Sequence, residues 1–155
     1  MTISSLRAFL QRRDSGNAMI EFALSFALLF PTLAGCYQFG YAFFVYNQMQ
    51  SAVRSGARYA SLRTYNSSTA TPSASYVAAV RNTVVYGNPA GGTAPVVPGL
   101  TPENVVVSAV FVNGVPREIT VGYQNFRADA VLKLIDFNQK PYVTIPYLGR
   151  YDPLA

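Results

Sequence analysis

Residues 12–46 read RRDSGNAMIEFALSFALLFPTLAGCYQFGYAFFVY. Basic residues come first, and the run that follows them carries only one formal charge between Asp14 and Arg54. As a helix, residues 18–46 would be about 43 Å long, whereas the hydrocarbon core of a bilayer is about 30 Å thick. The stretch therefore predicts a membrane-spanning helix that continues beyond the membrane.

The single charge in this run is the carboxylate of Glu21. A charged side chain near the centre of a bilayer costs about 2.5–3.5 kcal/mol on insertion scales. A partner group must offset that cost, because buried charges are found paired. Glu21 is thus a candidate functional residue.

An apolar stripe with helical spacing continues past the aromatic residues. Its members recur four, four and three residues apart: Met49, Val53, Ala57 and Ala60. One helix from near residue 18 to near Leu62 is therefore predicted. Arg54 and Arg58 form a separate row, which the pattern predicts to be a solvated face.

Charge and composition exclude several classes of function. The chain has 155 residues and a net charge of +5, of which residues 1–16 contribute +2 (three Arg, one Asp), and no Lys/Arg run is typical of a nucleic-acid site. There is no histidine, and the acidic residues are scattered. The sequence thus offers no catalytic residues, no metal site and no cofactor motif, and it predicts no binding of nucleic acid.

Orientation rests on small differences. Three arginines precede the span and three follow it, namely Arg54, Arg58 and Arg63. The free amino terminus and the closeness of Arg12 and Arg13 to the span favour a cytoplasmic N-terminus.

Two interpretations of the N-terminus, as a lipoprotein or as an uncleaved signal anchor, remain open. Leu33-Ala34-Gly35-Cys36 resembles a bacterial lipoprotein processing box, which would place lipid on Cys36. Apolarity continues through Val45, which favours Cys36 as a small apolar helix residue instead. The alternative function is an envelope lipoprotein, or an uncleaved signal-anchored binding domain.

Gly16-Asn17-Ala18-Met19-Ile20-Glu21 resembles the cleavage motif of type IV prepilins. The resemblance implies that a membrane peptidase cuts between Gly16 and Asn17, so that Glu21 becomes the fifth residue of the mature chain. Cleavage would create an ammonium group on Asn17, four residues from Glu21 and on the same helix face. In pilins the glutamate is thought to meet the amine of a neighbouring subunit.

The longer segment from Gly16 to Ala60 resembles the TadE-like proteins. The shared features are a Glu-Phe-Ala start, a mid-span proline, a Phe-Gly followed by aromatic residues, and the ending SAVRSGARYA at residues 51–60. The resemblance implies a minor pilin or pseudopilin of the tight-adherence (Tad, type IVc pilus) system, acting in pilus biogenesis, adhesion and biofilm formation. Its partners would be the inner membrane, the prepilin peptidase, and other pilins and pseudopilins.

These features predict three regions. Residues 1–16 would be a cleaved cytoplasmic leader, residues 17–63 the transmembrane helix and its extension, and residues 64–155 an extracytoplasmic α+β domain. The protein would lie in a bacterial inner membrane with its C-terminal domain in the periplasm. Incorporation into a surface pilus is the alternative location.

The C-terminal half predicts one helix and a short antiparallel sheet. Ser75 would cap the helix, and Gly87 would end it. Its core-facing residues would be Val77, Val80, Val84 and Val85. Predicted strands cover residues 105–112, 118–123 and 142–146, and Pro116 suggests a loop longer than two residues after Val112. Alternation in the second strand would place Ile119, Val121 and Tyr123 on one face, and Pro141 and Pro146 favour an edge position for the third. Residues 128–135 are expected to form a short helix or an apolar crossover. The fold class is thus α+β and pilin-like.

Overall fold

The computed structural model describes residues 3–129, 134–137 and 139–153, with side chains described from Gly16 onward except at residue 129. The elements are α1 (Ile3–Leu62), α2 (Ala74–Tyr86), a short 3-10 turn (Pro102–Asn104), β1 (Val105–Val112), β2 (Val115–Tyr123), β3 (Arg127–Asp129), β4 (Leu134–Asp136) and β5 (Tyr142–Pro146). A long apolar helix, a second helix and small antiparallel sheets confirm the α+β, pilin-like prediction. Two compact units divide the chain, Met1–Gly40 and Tyr41–Ala155.

The first unit is helical and exposes its apolar side chains on every side. Leu24, Leu28 and Leu33 are each more than 60% exposed, and so are Phe22 and Phe39. A helix that is apolar all round belongs in the core of a large protein or in a membrane. Gly16–Leu62 is the one helical stretch of the described residues long and apolar enough to cross a membrane, and an 18-residue window within it has a mean hydropathy of 1.7.

Helix α1 begins at Ile3, earlier than the predicted start near residue 18, and it ends at Leu62 as predicted. Residues 3–15 contain neither proline nor glycine, so nothing in them interrupts a helix. Pro31 lies inside the helix, and the next residue, Thr32, donates its hydroxyl to the Leu28 carbonyl (2.9 Å).

In the second unit the end of α1 forms one wall of the core. The predicted stripe is confirmed, since its four members have no exposed surface: Met49, Val53, Ala57 and Ala60. Arg54 and Arg58 are exposed, as the separate row predicted. The same helix therefore buries one face and leaves the other to solvent.

The main sheet has the strand order β1-β2-β5, all antiparallel. Ile119, Val121 and Tyr123 are buried on one face, as predicted from their alternation. The third strand, β5, lies at the edge, also as predicted. A sheet packed on the end of α1 thus closes the core.

The turn between β1 and β2 is shorter than predicted. Asn113 and Gly114 have φ of 54° and 77°, values typical of a two-residue hairpin turn, and β2 starts at Val115. The longer loop was inferred from Pro116, but a register shift between Val110 and Phe111 accommodates this proline inside the ladder.

Helix α2 is capped by Ser73 rather than by Ser75. Ser73 has an extended backbone and its hydroxyl accepts a hydrogen bond from the Tyr76 amide (3.2 Å), three residues on. Gly87, with φ of 71°, ends the helix as predicted. Of the four valines predicted to face the core, Val80, Val84 and Val85 are fully buried, whereas Val77 is only partly buried.

The segment predicted as a short helix or crossover at residues 128–135 instead contributes two strands. Ala128 pairs with Ile135 across β3 and β4, while residues 130–133 lie outside the described residues. The backbone amide of Phe137 donates to the Phe126 carbonyl (2.9 Å), which extends this pairing. Burial of Ala128 and partial burial of Ile135 against the core favour extended pairing over the helix that Ala/Leu content suggested.

Candidate processing and assembly site

The three predicted site residues, Gly16, Asn17 and Glu21, all lie on α1 and are all exposed. A Cβ atom added at Gly16 would meet nothing within 4 Å. Glycine inside a helix costs about 1 kcal/mol relative to alanine. No packing contact among the described residues explains a glycine at position 16.

Glu21 follows Asn17 by four residues, so helix geometry places both side chains on one face, with Cβ atoms about 5–6 Å apart. The adjacent side chains are apolar and exposed, Ile20 at 61% and Phe22 at 69%. Among the residues that the structure describes, no hydrogen bond or ion pair reaches the Glu21 carboxylate. The charge therefore has no described partner within its own chain.

An aromatic row extends from the Glu21 end of the helix. Phe22 and Phe26 stack with ring centroids 6.1 Å apart, and Phe26 and Phe30 stack at 5.3 Å. These rings line a shallow apolar groove together with Ser25, Leu29 and Leu33. Such a surface favours lipid or another apolar helix over water.

Comparison with protein families matches residues 16–58 to the model described as TadE-like protein. Residues 16–58 are a TadE-like segment. Curated proteins gave no match, and solved structures gave none either. The TadE-like family is structural rather than enzymatic. The match covers less than a third of the chain, and it begins at Gly16, where the described helix that is long and apolar enough to cross a membrane also begins.

The end of the TadE-like segment is where α1 meets α2. A Cβ atom at Gly56 would lie 2.2 Å from Cγ2 of Val84, far inside van der Waals contact. Ala52 is nearly buried, and Ala57 has no exposed surface. The small residues of this motif thus allow two helices to approach closely, a role that the sequence reading did not assign to Gly56. An isolated glycine inside a helical pattern was the available signal.

On the opposite side of this motif, Arg54 and Arg58 flank Ser55 and line a shallow exposed groove. The ion pairs seen in the described part of the chain are elsewhere, Arg127 with Asp136 (3.3 Å) and Arg150 with Asp152 (3.0 Å). The arginine row is therefore a cationic surface of the second unit.

Buried and partly buried tyrosines connect α1 to the rest of the second unit, a role that no sequence pattern indicated. The Tyr76 hydroxyl donates to the Ala60 carbonyl (2.5 Å), and the Tyr123 hydroxyl donates to the Met49 carbonyl (3.1 Å). The Tyr147 hydroxyl accepts from the Tyr65 amide and donates toward the Arg63 carbonyl, both at 2.9 Å. These bonds fix the carboxyl end of α1 in the core.

These tyrosines predict a loss of stability in alkali. Burial raises the pKa of Tyr65 from 10.0 to about 12, and it raises the pKa values of Tyr76 and Tyr123 as well. Because the folded-state pKa lies above the unfolded-state value, this contribution to stability is complete below about pH 10 and is lost as pH rises toward about 12. Denaturant unfolding of the detergent-solubilised chain should show an unfolding free energy that falls above about pH 10.

Tyr65→Phe is the matched variant for this prediction. It removes one ionisable hydroxyl, so its unfolding free energy should fall less steeply between about pH 10 and 12. An unfolding free energy that stays flat across this range in the wild-type chain would contradict the assignment.

Proposed function

We propose that the chain is a minor pilin or pseudopilin, or an assembly factor, of a Tad-type pilus, and that a prepilin peptidase processes it between Gly16 and Asn17. The observation that carries this proposal is the coincidence of three features at one end of α1. The TadE-like match begins at Gly16, the helix beyond it is apolar on all sides, and Glu21 has no described partner.

Processing would supply the missing partner. Removal of residues 1–16 leaves 139 residues and places a new ammonium group on Asn17. A carboxylate that is costly alone in lipid becomes acceptable when it is paired with a cation at a subunit contact. Glu21 would then favour the assembled state over the isolated one. Only a neighbouring subunit can bring a further ammonium group to the Glu21 carboxylate, in addition to the one on its own chain.

The apolar groove along the stacked phenylalanines supports the same role. In a membrane, helices associate by close packing, because lipid tails are as apolar as the side chains they replace. The groove formed around Phe26 and Leu29 offers such a packing surface. In this arrangement the amino terminus faces the cytoplasm, the second unit lies in the periplasm, and the chain supports pilus biogenesis, adhesion and biofilm formation.

Mass spectrometry of the mature N-terminus tests the proposal directly. Produced with the prepilin peptidase of its own system, the chain should begin at Asn17. Gly16→Leu should leave it uncut, because the bulkier residue occupies the cleavage position. Gly35→Leu is the matched control, since Gly35 is also an exposed glycine of α1 with nothing within 4 Å of its Cβ position.

Other N-termini would identify the alternatives. A chain that begins at a diacylated Cys36 would be an envelope lipoprotein, and Cys36 is exposed on α1. A wild-type chain that keeps Met1 in the presence of active peptidase would be a plain signal-anchored domain. Either result overturns the proposal.

A further inference from the structure

The face of the main sheet that points away from the core carries an ordered grid of side chains. Strand register places Gly122 between Val106 and Tyr142 in one row. The next row holds three hydroxyl residues side by side: Ser108, Thr120 and Thr144. This face therefore has one row with a missing side chain beside one row of hydroxyls.

The missing side chain creates a hollow. Neighbouring strands lie about 4.8 Å apart, so Val106 and Tyr142 stand about 10 Å from each other on either side of Gly122. A Cβ atom at Gly122 would lie 3.0 Å from Cβ of Tyr142, so glycine at this position allows β5 to approach β2 closely beside the hollow. The resulting cavity measures about 320 Å³, at the lower end of the range of about 300–1,000 Å³ for small-molecule sites.

Tyr142 stands beside the hollow with its ring available. It is 63% exposed, although tyrosine is a residue that usually buries most of its ring. Register with Gly122 fixes its backbone at the start of the edge strand β5. A large, rigid, exposed aromatic ring on a flat floor is a stacking surface for a flat apolar face.

The polar groups around the hollow are uncharged and held in place. The Thr120 and Thr144 hydroxyls are 2.8 Å apart. Gln124 donates its side-chain amide to the Glu103 carbonyl (3.2 Å), and its backbone amide donates to Asn104 (2.7 Å). Amides and hydroxyls line the cavity, among them those of Ser108, Thr120, Gln124 and Gln139, and none of its lining residues is charged.

We infer that this hollow binds a neutral, β-1,4-linked hexopyranose chain, with one sugar ring on Tyr142. Such a chain is a flat ribbon that offers C–H faces to an aromatic ring and hydroxyl edges to amides and hydroxyls. A phosphate or carboxylate ligand would need Arg or Lys, and the lining has neither. An acyl chain could form no hydrogen bonds with the hydroxyls and amides that line the hollow. The inference concerns the second unit and does not depend on cleavage at Gly16.

Calorimetric titration of the full chain in detergent micelles tests this inference with three tetrasaccharides. Chitotetraose and cellotetraose, both β-1,4-linked, are expected to bind, whereas α-linked maltotetraose is not. Binding of chitotetraose alone would indicate an N-acetylated glycan, as in cell walls or chitin. Binding of cellotetraose alone would indicate an unsubstituted glucan. Binding of both would indicate a site that recognises the shared β-1,4-linked backbone and not the N-acetyl group.

Variants connect the binding to the hollow. Tyr142→Ala should weaken binding about tenfold or more, because it removes the stacking ring, whereas Tyr142→Phe should retain it. Gln139→Asn shortens one amide, suits the positive φ of 63° at this residue, and should also weaken binding. Leu148→Ala, at a side chain 73% exposed outside the hollow, is the control and should change nothing.

Three results would overturn the inference. They are no binding of either β-linked tetrasaccharide, equal binding of maltotetraose, and unchanged binding in a Tyr142→Ala chain with a native circular dichroism spectrum. If Tyr142→Ala fails to fold, unchanged binding in Gln139→Asn overturns it instead.

Discussion

Glu21→Ala is expected to leave cleavage after Gly16 intact and to abolish most pilus assembly. The variant removes the carboxylate and leaves the new ammonium group of Asn17 unpaired at the subunit contact. Breaking a buried ion pair costs about 3–5 kcal/mol. At about 1.4 kcal/mol per factor of ten, this corresponds to about a hundredfold or greater loss in association. Piliation of a strain that carries only the variant, counted by electron microscopy, measures the effect.

The amount of variant in the membrane should not fall, because removal of the charge lowers the cost of inserting an isolated helix by about 2.5–3.5 kcal/mol. Thr32→Ala is the matched control, since Thr32 lies on the same helix, carries no charge and is not among the residues that line the apolar groove. Glu21→Gln separates charge from hydrogen bonding, because glutamine keeps the size and an acceptor oxygen. Normal piliation in Glu21→Ala would contradict the proposed pairing.

Periodicity predicted the fold well wherever burial on one side was strong. The stripe from Met49 to Ala60 and the alternation of Ile119, Val121 and Tyr123 were both confirmed, because a packed core requires these patterns. Of the two alternatives for residues 128–135, a short helix or an apolar crossover, the helix was wrong at the described residues, because strand pairing and burial of Ala128 outweighed local helix propensity. Prediction also failed at Ser75, because two nearby serines offered equal caps and backbone geometry selected Ser73.

The candidate site shows a different limit. Gly16, Asn17 and Glu21 could be proposed from the sequence because their spacing is local and lies within one helix. Tyr142 and Gly122 could not, because residues 20 positions apart meet only through strand register. Gly56 was visible as a glycine in a helix, but its reason is a valine on another helix. Contacts distant in sequence depend on tertiary structure that one sequence does not specify by pattern.

Gly56→Ala is expected to destabilise the second unit by about 1–3 kcal/mol, the usual cost of overpacking a core. The added methyl group would overlap Cγ2 of Val84, which has no exposed surface and a stiff, β-branched side chain. Alanine improves helix propensity by about 1 kcal/mol, so a simple propensity argument predicts the opposite sign. Thermal unfolding followed by circular dichroism measures the change, which should be a decrease of several degrees in Tm for a unit of this size.

Two controls and a second substitution identify the cause. Ser55→Ala, at the adjacent exposed position, should change stability by less than about 0.5 kcal/mol, and Gly40→Ala, where a Cβ meets nothing within 4 Å, should not destabilise the chain. Val84→Ala removes the methyl group that the new Cβ would strike, so the double variant Gly56→Ala/Val84→Ala should be more stable than the sum of the single changes predicts. Residues in contact show coupling of about 0.5–3 kcal/mol in such cycles. Strict additivity would mean that the two helices already accommodate a side chain at position 56, and that the glycine there serves something other than the contact between α1 and α2.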